Sequence, residues 1–190
     1  MKTYIIAKDI NMEEMQKFFE KRTNKHIELV RKYCKKIYDT DNERFEGLIE
    51  RGQRHDQSKF SDPEIGPYLW ITWQYKCKDE GKELDLPEGM SEKMSKATEH
   101  HVKKNRHHPE FHSKKKVDFS KREDRDKPPK TIVDASSMED LDIAEMVADW
   151  CAMSEEKSGN PKQWADKNVN IRWKFTDKQK DLIYELIKVF

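Results

Sequence analysis

An adjacent histidine and aspartate, His55 and Asp56 in the stretch RGQRHDQSKF at 51–60, stand where an amphipathic helix runs out. Imidazole nitrogens and carboxylate oxygens carry protons and donate to metals. A lone His-Asp pair also has a plain reading, because a histidine at a helix C-terminus is favoured by the helix dipole. Its meaning depends on partners, and the chain supplies His26, His101, His107, His108 and Asp149. Each of these has a plain reading too. His26 alone fits a hydrogen-bonded core histidine, and the run HHPEFH at 107–112 fits a surface chelator. Asp149, beside Trp150, fits the partner of an arginine, with Glu145 as the alternative inward carboxylate. His100 and His112 read as outer or solvent-facing residues.

The elements that must position these residues are helices. Over 12–38, Phe19, Arg22, His26, Leu29, Val30, Tyr33 and Ile37 recur at three-to-four spacing, so His26 falls inside the inward stripe of a long helix. Over 41–54, Phe45, Leu48, Ile49 and Gly52 repeat the pattern and carry the same face into His55 and Asp56. Ser61 or Asp62 ahead of Pro63 starts an aromatic-rich helix running to about Cys77, and Gly81 and Pro87 mark the loop after it. In the next helix Met90, Met94, Ala97 and His101 share a face, whereas His100 falls beside Lys93, Lys96 and Lys104. That helix stops near Asn105, because Pro109 disfavours helical geometry at His108, which leaves His107, His108 and His112 on a helix end or the loop beyond. The charged stretch 113–135 reads as a flexible surface loop or lid. Ser136 or Ser137 restarts a helix whose Leu141, Asp142, Glu145, Met146, Asp149 and Met153 line one side. A less regular stretch with Trp164 and Trp173 precedes a last helix over about 177–188, capped by Thr176, with Leu182, Ile183, Leu186 and Ile187 inward.

Separate helices thus give inward positions to ionisable groups that are costly to bury alone, and a shared counter-charge resolves the cost. A metal ion supplies one. Mixed nitrogen and oxygen donors suit manganese, iron, cobalt, nickel or zinc, and more than four candidate ligands allow one or two divalent ions. The order His, His-Asp, His, His, Asp on successive helices resembles the HD-domain superfamily of metal-dependent phosphohydrolases, and HDQSK resembles the His-Asp-x-x-Lys form of several branches. NRHHPEFH is similar, more narrowly, to a poorly characterised HD-like group of bacteria and their phages with a His-His-Pro-Glu motif. The resemblance covers roughly 26–153. It implies an all-α, single HD-like helical domain with a central metal site between helices. His26, His55, Asp56 and Asp149 match its core ligands, and His101 with one or both of His107 and His108 match the added ligands of dinuclear branches. Lys59 matches a lysine that approaches the substrate phosphate. The Gly-Tyr-Pro signature of the cyclic-di-GMP branch is missing here, the nucleotidase branch lacks the late histidine cluster, and an inositol oxygenase in the superfamily has much the same ligand order.

At 190 residues the chain is long enough for one domain with a sizeable core, expected over 1–190. Charged residues make up 39%, yet five tryptophans and 10% aromatics argue for a packed interior under a charged surface. With 38 Lys+Arg against 37 Asp+Glu there is no global field for nucleic acid, which is an unlikely partner. Three scattered cysteines suggest no disulfide framework, no run reaches transmembrane length, and MKTYIIAKDI is too weakly apolar for a signal peptide. A cytoplasmic protein is expected. Lys103, Lys104 and Arg106, in a segment with three consecutive lysines, would form a positive rim that favours a small anionic, phosphate-bearing substrate. The expected activity is therefore hydrolysis of a phosphomonoester or phosphodiester, a nucleotide or nucleotide signal, by a metal-activated hydroxide, with Asp56 bridging the ions. The alternatives are a non-haem iron oxygenase of the inositol-oxygenase type and a non-catalytic nucleotide-sequestering protein. Oligomeric state leaves no mark in the sequence.

Overall fold

The computed structural model of the chain describes residues 3–7, 10–114 and 131–190, so most of the stretch expected as a loop at 113–135 lies outside the described residues. The fold is all-α. In chain order the elements are β1 (Thr3–Ile6), α1 (Met12–Tyr38), α2 (Leu48–Arg54), α3 (Ile65–Asp79), β2 (Lys82–Asp85), α4 (Met90–Lys104), α5 (Pro109–His112), β3 (Val133–Asp134), α6 (Asp140–Glu156), α7 (Pro161–Asn168), β4 (Trp173–Lys174) and α8 (Asp177–Leu186). Single 3-10 turns occupy Gln57–Phe60 and Ile187–Val189. The chain forms two compact units, Met1–Lys25 with Gln57–His101 and His26–Asp56 with Val102–Phe190. The division falls inside α1 and inside α4.

In the first unit Asn11 caps α1, its Oδ1 accepting from the backbone of Glu13 and Glu14 at 2.9 and 3.2 Å. Met15 of α1 packs with Trp70, Ile71, Trp73 and Cys77 of α3 and Met94 of α4. β1 and β2 pair in parallel from Thr3↔Lys82 to Ile6↔Asp85. Neither strand was expected, because four residues are too few to show a period against helical neighbours.

In the second unit a larger core joins Val30, Tyr33, Cys34 and Ile37 of α1, Leu48 of α2, Ile143, Ala144, Val147 and Cys151 of α6, and Leu182, Ile183 and Leu186 of α8. α2 is shorter than the expected 41–54. Gly47 is left-handed, with φ 88°, and breaks the helical path before Leu48. Gly52 lets α2 approach α1 closely: a Cβ there would lie 3.1 Å from both Cβ and Sγ of Cys34. α6 begins later than expected as well. Ser136 donates to Asp134 Oδ1 through its backbone and hydroxyl, so Glu139 takes the cap and shares a capping box with Asp142. Asn160 caps α7, with Pro161 as its first residue, in the stretch read as less regular. Thr176 and Gln179 form the capping box of α8, and the Gln179 amide donates to the carbonyls of Ser136 and Met138.

Candidate metal centre

The second unit brings together His26, His55, Asp56, His107 and Asp149. His26 lies on the inward face of α1, and His55 and Asp56 follow the last turn of α2. His107 sits in the turn between α4 and α5, and Asp149 faces inward from α6. One ligand atom from each of His26, His55 and Asp56 lies within 4.8 Å of the other two, and the same holds for His55, His107 and Asp149. His26 Nε2 is 3.1 Å from Asp149 Oδ1 and 3.8 Å from Asp56 Oδ2, while His55 Nε2 is 3.7 Å from Asp56 Oδ1.

Local backbone explains two of these placements. Asp56 holds φ 59°, left-handed for a residue with a side chain; aspartate is one of the few residues that tolerates this, and the turn aims its carboxylate into the protein. His108 precedes Pro109 and is extended, with φ −92° and ψ 128°, which ends the α4 path and seats α5. Glu110 of α5 accepts from the Trp173 indole at 2.9 Å and ties this turn to β4. His108 itself is half-buried.

Glu145 orients the imidazoles. Its Oε1 lies 3.0 Å from His55 Nδ1 and 3.2 Å from His107 Nδ1. A carboxylate accepts a hydrogen bond from Nδ1–H, so Nε2 carries the lone pair of each ring when it is neutral. The His55 side chain is fully buried, and its Nε2 has no hydrogen-bond partner. Burial lowers the His55 pKa more than its carboxylate neighbours raise it, which keeps the ring neutral, the form that binds a metal. At His107 burial also opposes the charge, but the hydrogen bond and charge of Glu145 win and its pKa rises. Burial works against His26 in the same way; the contact with Asp149 at 3.1 Å, the Glu156 carboxylate 3.7 Å from Nδ1 and the charge of Asp56 raise it to about 9. For Glu145, burial is outweighed by hydrogen bonds from His107 and His55, bringing it down to about 2. Asp149 is likewise held below the ordinary range by the hydrogen bond and charge of His26 against its burial.

Three carboxylates were not foreseen in these roles. Glu156, two turns further along the same face of α6, places Oε2 3.7 Å from His26 Nδ1. Its spacing of seven from Asp149 was the available signal. Asp142, fully buried, accepts from Arg51 Nη2 at 2.6 Å and from Arg106 Nε and Nη2 at 2.9 and 3.0 Å. Arg106, expected on an anion-attracting rim, is thus a bidentate partner of Asp142. Lys103 and Lys104 are exposed at the end of α4. Arg51 also stands 3.7 Å from Glu145 Oε2.

The third is Glu64, in the first unit with His101 and Lys59. Fully buried, it lies 2.7 Å from His100 Nδ1, 2.8 Å from His101 Nδ1 and 3.0 Å from Ser58 Oγ. Burial would raise its pKa, but these bonds and the His101 charge lower it. Ser58 Oγ reaches the same Nδ1 of His101 at 3.2 Å, so this is no serine relay, which needs opposite ring nitrogens. His100, expected to be outer or solvent-facing, is partly exposed and bound to Glu64. Half-buried Lys59 holds its ammonium 5.2 Å from the Tyr68 ring centre.

Fold and site together define an all-helical protein in which buried histidines and carboxylates converge from several helices. The chain belongs to a family of unknown function (DUF5662), which it matches over residues 15–189. No curated protein and no solved structure matches it. Among the described residues no helix is long and apolar enough to cross a membrane.

Proposed function

We propose that this protein is a metal-dependent phosphohydrolase of HD type, holding a divalent transition-metal ion with His26, His55, Asp56 and Asp149 and acting on a small phosphate-bearing substrate, a nucleotide or nucleotide signal. The observation that carries the reading is His55: a wholly buried imidazole with Nδ1 fixed on Glu145 and Nε2 without a partner, beside two buried or half-buried aspartates. An unpartnered buried nitrogen costs about 1–3 kcal/mol unless something occupies it. Lone-pair donors flanked by anionic oxygens fit a cation. A divalent ion there would act as a Lewis acid, lowering the pKa of water and neutralising charge on a phosphoryl oxygen. The chain's own residues then have defined tasks. Glu145 fixes the donor tautomers, Asp56 and Asp149 balance the ion's charge, and Arg51 and Arg106 hold α6 in place through Asp142. Lys103 and Lys104 offer exposed positive charge that suits an anionic substrate.

The test is elemental analysis of wild type and His55→Ala/Asp56→Ala after exposure to manganese, iron, cobalt, nickel and zinc, followed by a nucleotide and phosphoester screen with the metal found. Bound metal lost in the variant, with phosphate release by wild type, is the expected result. No metal in the wild type sinks the reading. Oxygen uptake without phosphate release would replace hydrolysis with oxygenase chemistry, and stable stoichiometric nucleotide binding without turnover would replace it with sequestration.

A further inference from the structure

We infer that His107 is a donor to the same ion as His55, making the centre a five-residue set of His26, His55, His107, Asp56 and Asp149. The inference deepens the proposed metal-dependent reading and rests on it. His55 belongs to both groups of converging ligand atoms, one with His26 and Asp56, the other with His107 and Asp149. Its Nδ1 is taken by Glu145, so Nε2 alone can donate in either group. A neutral imidazole nitrogen has one in-plane lone pair and serves one ion. The two groups are therefore two descriptions of one position. His26 supports this independently, because its Nε2 lies within 4 Å of a carboxylate from each group, Asp149 at 3.1 Å and Asp56 at 3.8 Å.

His107 is oriented for the role as His55 is. Both rings anchor Nδ1 on the same oxygen of Glu145, their centroids are 4.3 Å apart and their planes are inclined by 37°. Anchoring at Nδ1 leaves Nε2, across the ring, as the donor of each. Three imidazoles and two carboxylates exceed a closed tetrahedral set. They suit a five- or six-coordinate ion such as manganese(II), iron(II) or cobalt(II) better than structural zinc.

The decisive measurement uses metal-free wild-type protein loaded with one equivalent of cobalt(II). Each imidazole bound through Nε2 keeps an exchangeable Nδ1 proton, which the paramagnetic ion shifts far outside the normal proton spectrum. Three exchangeable shifted signals are expected, from His26, His55 and His107, and two would overturn the inference. As a second test, His107→Ala should still bind cobalt at the site, about tenfold or more weakly, since losing a ligand costs at least as much as losing an orienting partner. Its visible absorption should strengthen as coordination number falls. Unchanged affinity and spectrum, or loss of a separate second ion with the first untouched, would overturn the assignment of His107 while leaving the proposed function standing. Failure of wild type to bind cobalt, manganese or iron at all is the distinct result that removes the proposed function and this inference together.

Discussion

Glu145→Ala is expected to weaken divalent-metal binding by about 100-fold although it removes none of the five donor residues, the upper end of the range for residues that orient metal ligands. The upper end applies because a single oxygen holds two imidazoles, at 3.0 and 3.2 Å. Without it each ring is free to rotate or change tautomer, and its Nε2 lone pair is no longer fixed in place. A 100-fold loss corresponds to about 2.7 kcal/mol of binding free energy. The metal-free protein should suffer too, because each buried Nδ1–H left without an acceptor costs about 1–3 kcal/mol. For a chain of this size that lowers the melting temperature by at least about 4 °C. Glu145→Gln keeps a carbonyl acceptor and should lose only about tenfold in affinity, with a smaller loss of stability. Competition against a chromophoric chelator measures the affinities, and thermal scans of metal-free protein measure the stabilities. A folded Glu145→Ala protein whose affinity stays within about threefold of wild type would refute the role of Glu145 as the orienting group.

The raised pKa of His26 makes a prediction with a definite sign. Its folded value near 9 lies above the ordinary 6.5, so the folded state holds the proton more tightly. The contribution, about 3 kcal/mol, is fully present below pH 6.5 and is lost as pH rises through 9 in metal-free protein. Denaturant unfolding of wild type beside His26→Gln should show the two stability curves converging across that window; parallel curves would refute it. Because metal and proton compete for His26, ion binding at pH 7 should release at least about one proton, read by calorimetry in buffers of different ionisation enthalpy. At Asp56 the left-handed backbone tolerates Asn, so Asp56→Asn should keep the fold and lose metal affinity. Asp56→Val should in addition cost about 1–2 kcal/mol in strain, measured by denaturation. Gly52→Ala should destabilise by about 1–3 kcal/mol through its contact with Cys34, more than its gain in helix propensity, and Cys34→Ala should recover part of the loss.

How far each feature was legible in the sequence follows from how local its cause is. α1, α4 and α8 were readable because period and punctuation agree. The stripe through His26 is continuous, Pro109 stops the path after α4, and Thr176 with Gln179 announces α8. The start of α2 was not, because Phe45 stands at helical spacing from Leu48 and Ile49 and only the left-handed Gly47 interrupts the path. β1 and β2 owe their existence to a partner far along the chain, which no window of local sequence contains. The candidate donors His26, His55, Asp56 and Asp149 were readable as residue types on inward faces, whereas His107 was readable only as one of several histidines at a helix end or in the loop beyond. Their orienting carboxylates were only partly so. Glu145 was an inward candidate without a fixed role, and Glu64 and Glu156 passed as ordinary acids, because the atom a glutamate faces is set by packing.

α6 shows why that distinction matters. Its inward face carries Asp142, Glu145, Asp149 and Glu156, four acids on a largely buried helix, and the partner of each decides what it can do. Asp142 faces two guanidiniums, which remain charged at any pH the protein would meet, so it is a fixed anchor. Glu145, one turn on, faces two imidazoles and stands 3.7 Å from Arg51, so its charge is secured from one side while it directs rings on the other. Asp149 and Glu156 face His26, whose proton can be exchanged for a cation. Along one helix, permanent positive charge gives way to positive charge that can be replaced. That gradient keeps any exchange of proton for metal to the imidazoles that face Glu145, Asp149 and Glu156, and leaves the Asp142 end holding the helix in register whether or not an ion is bound.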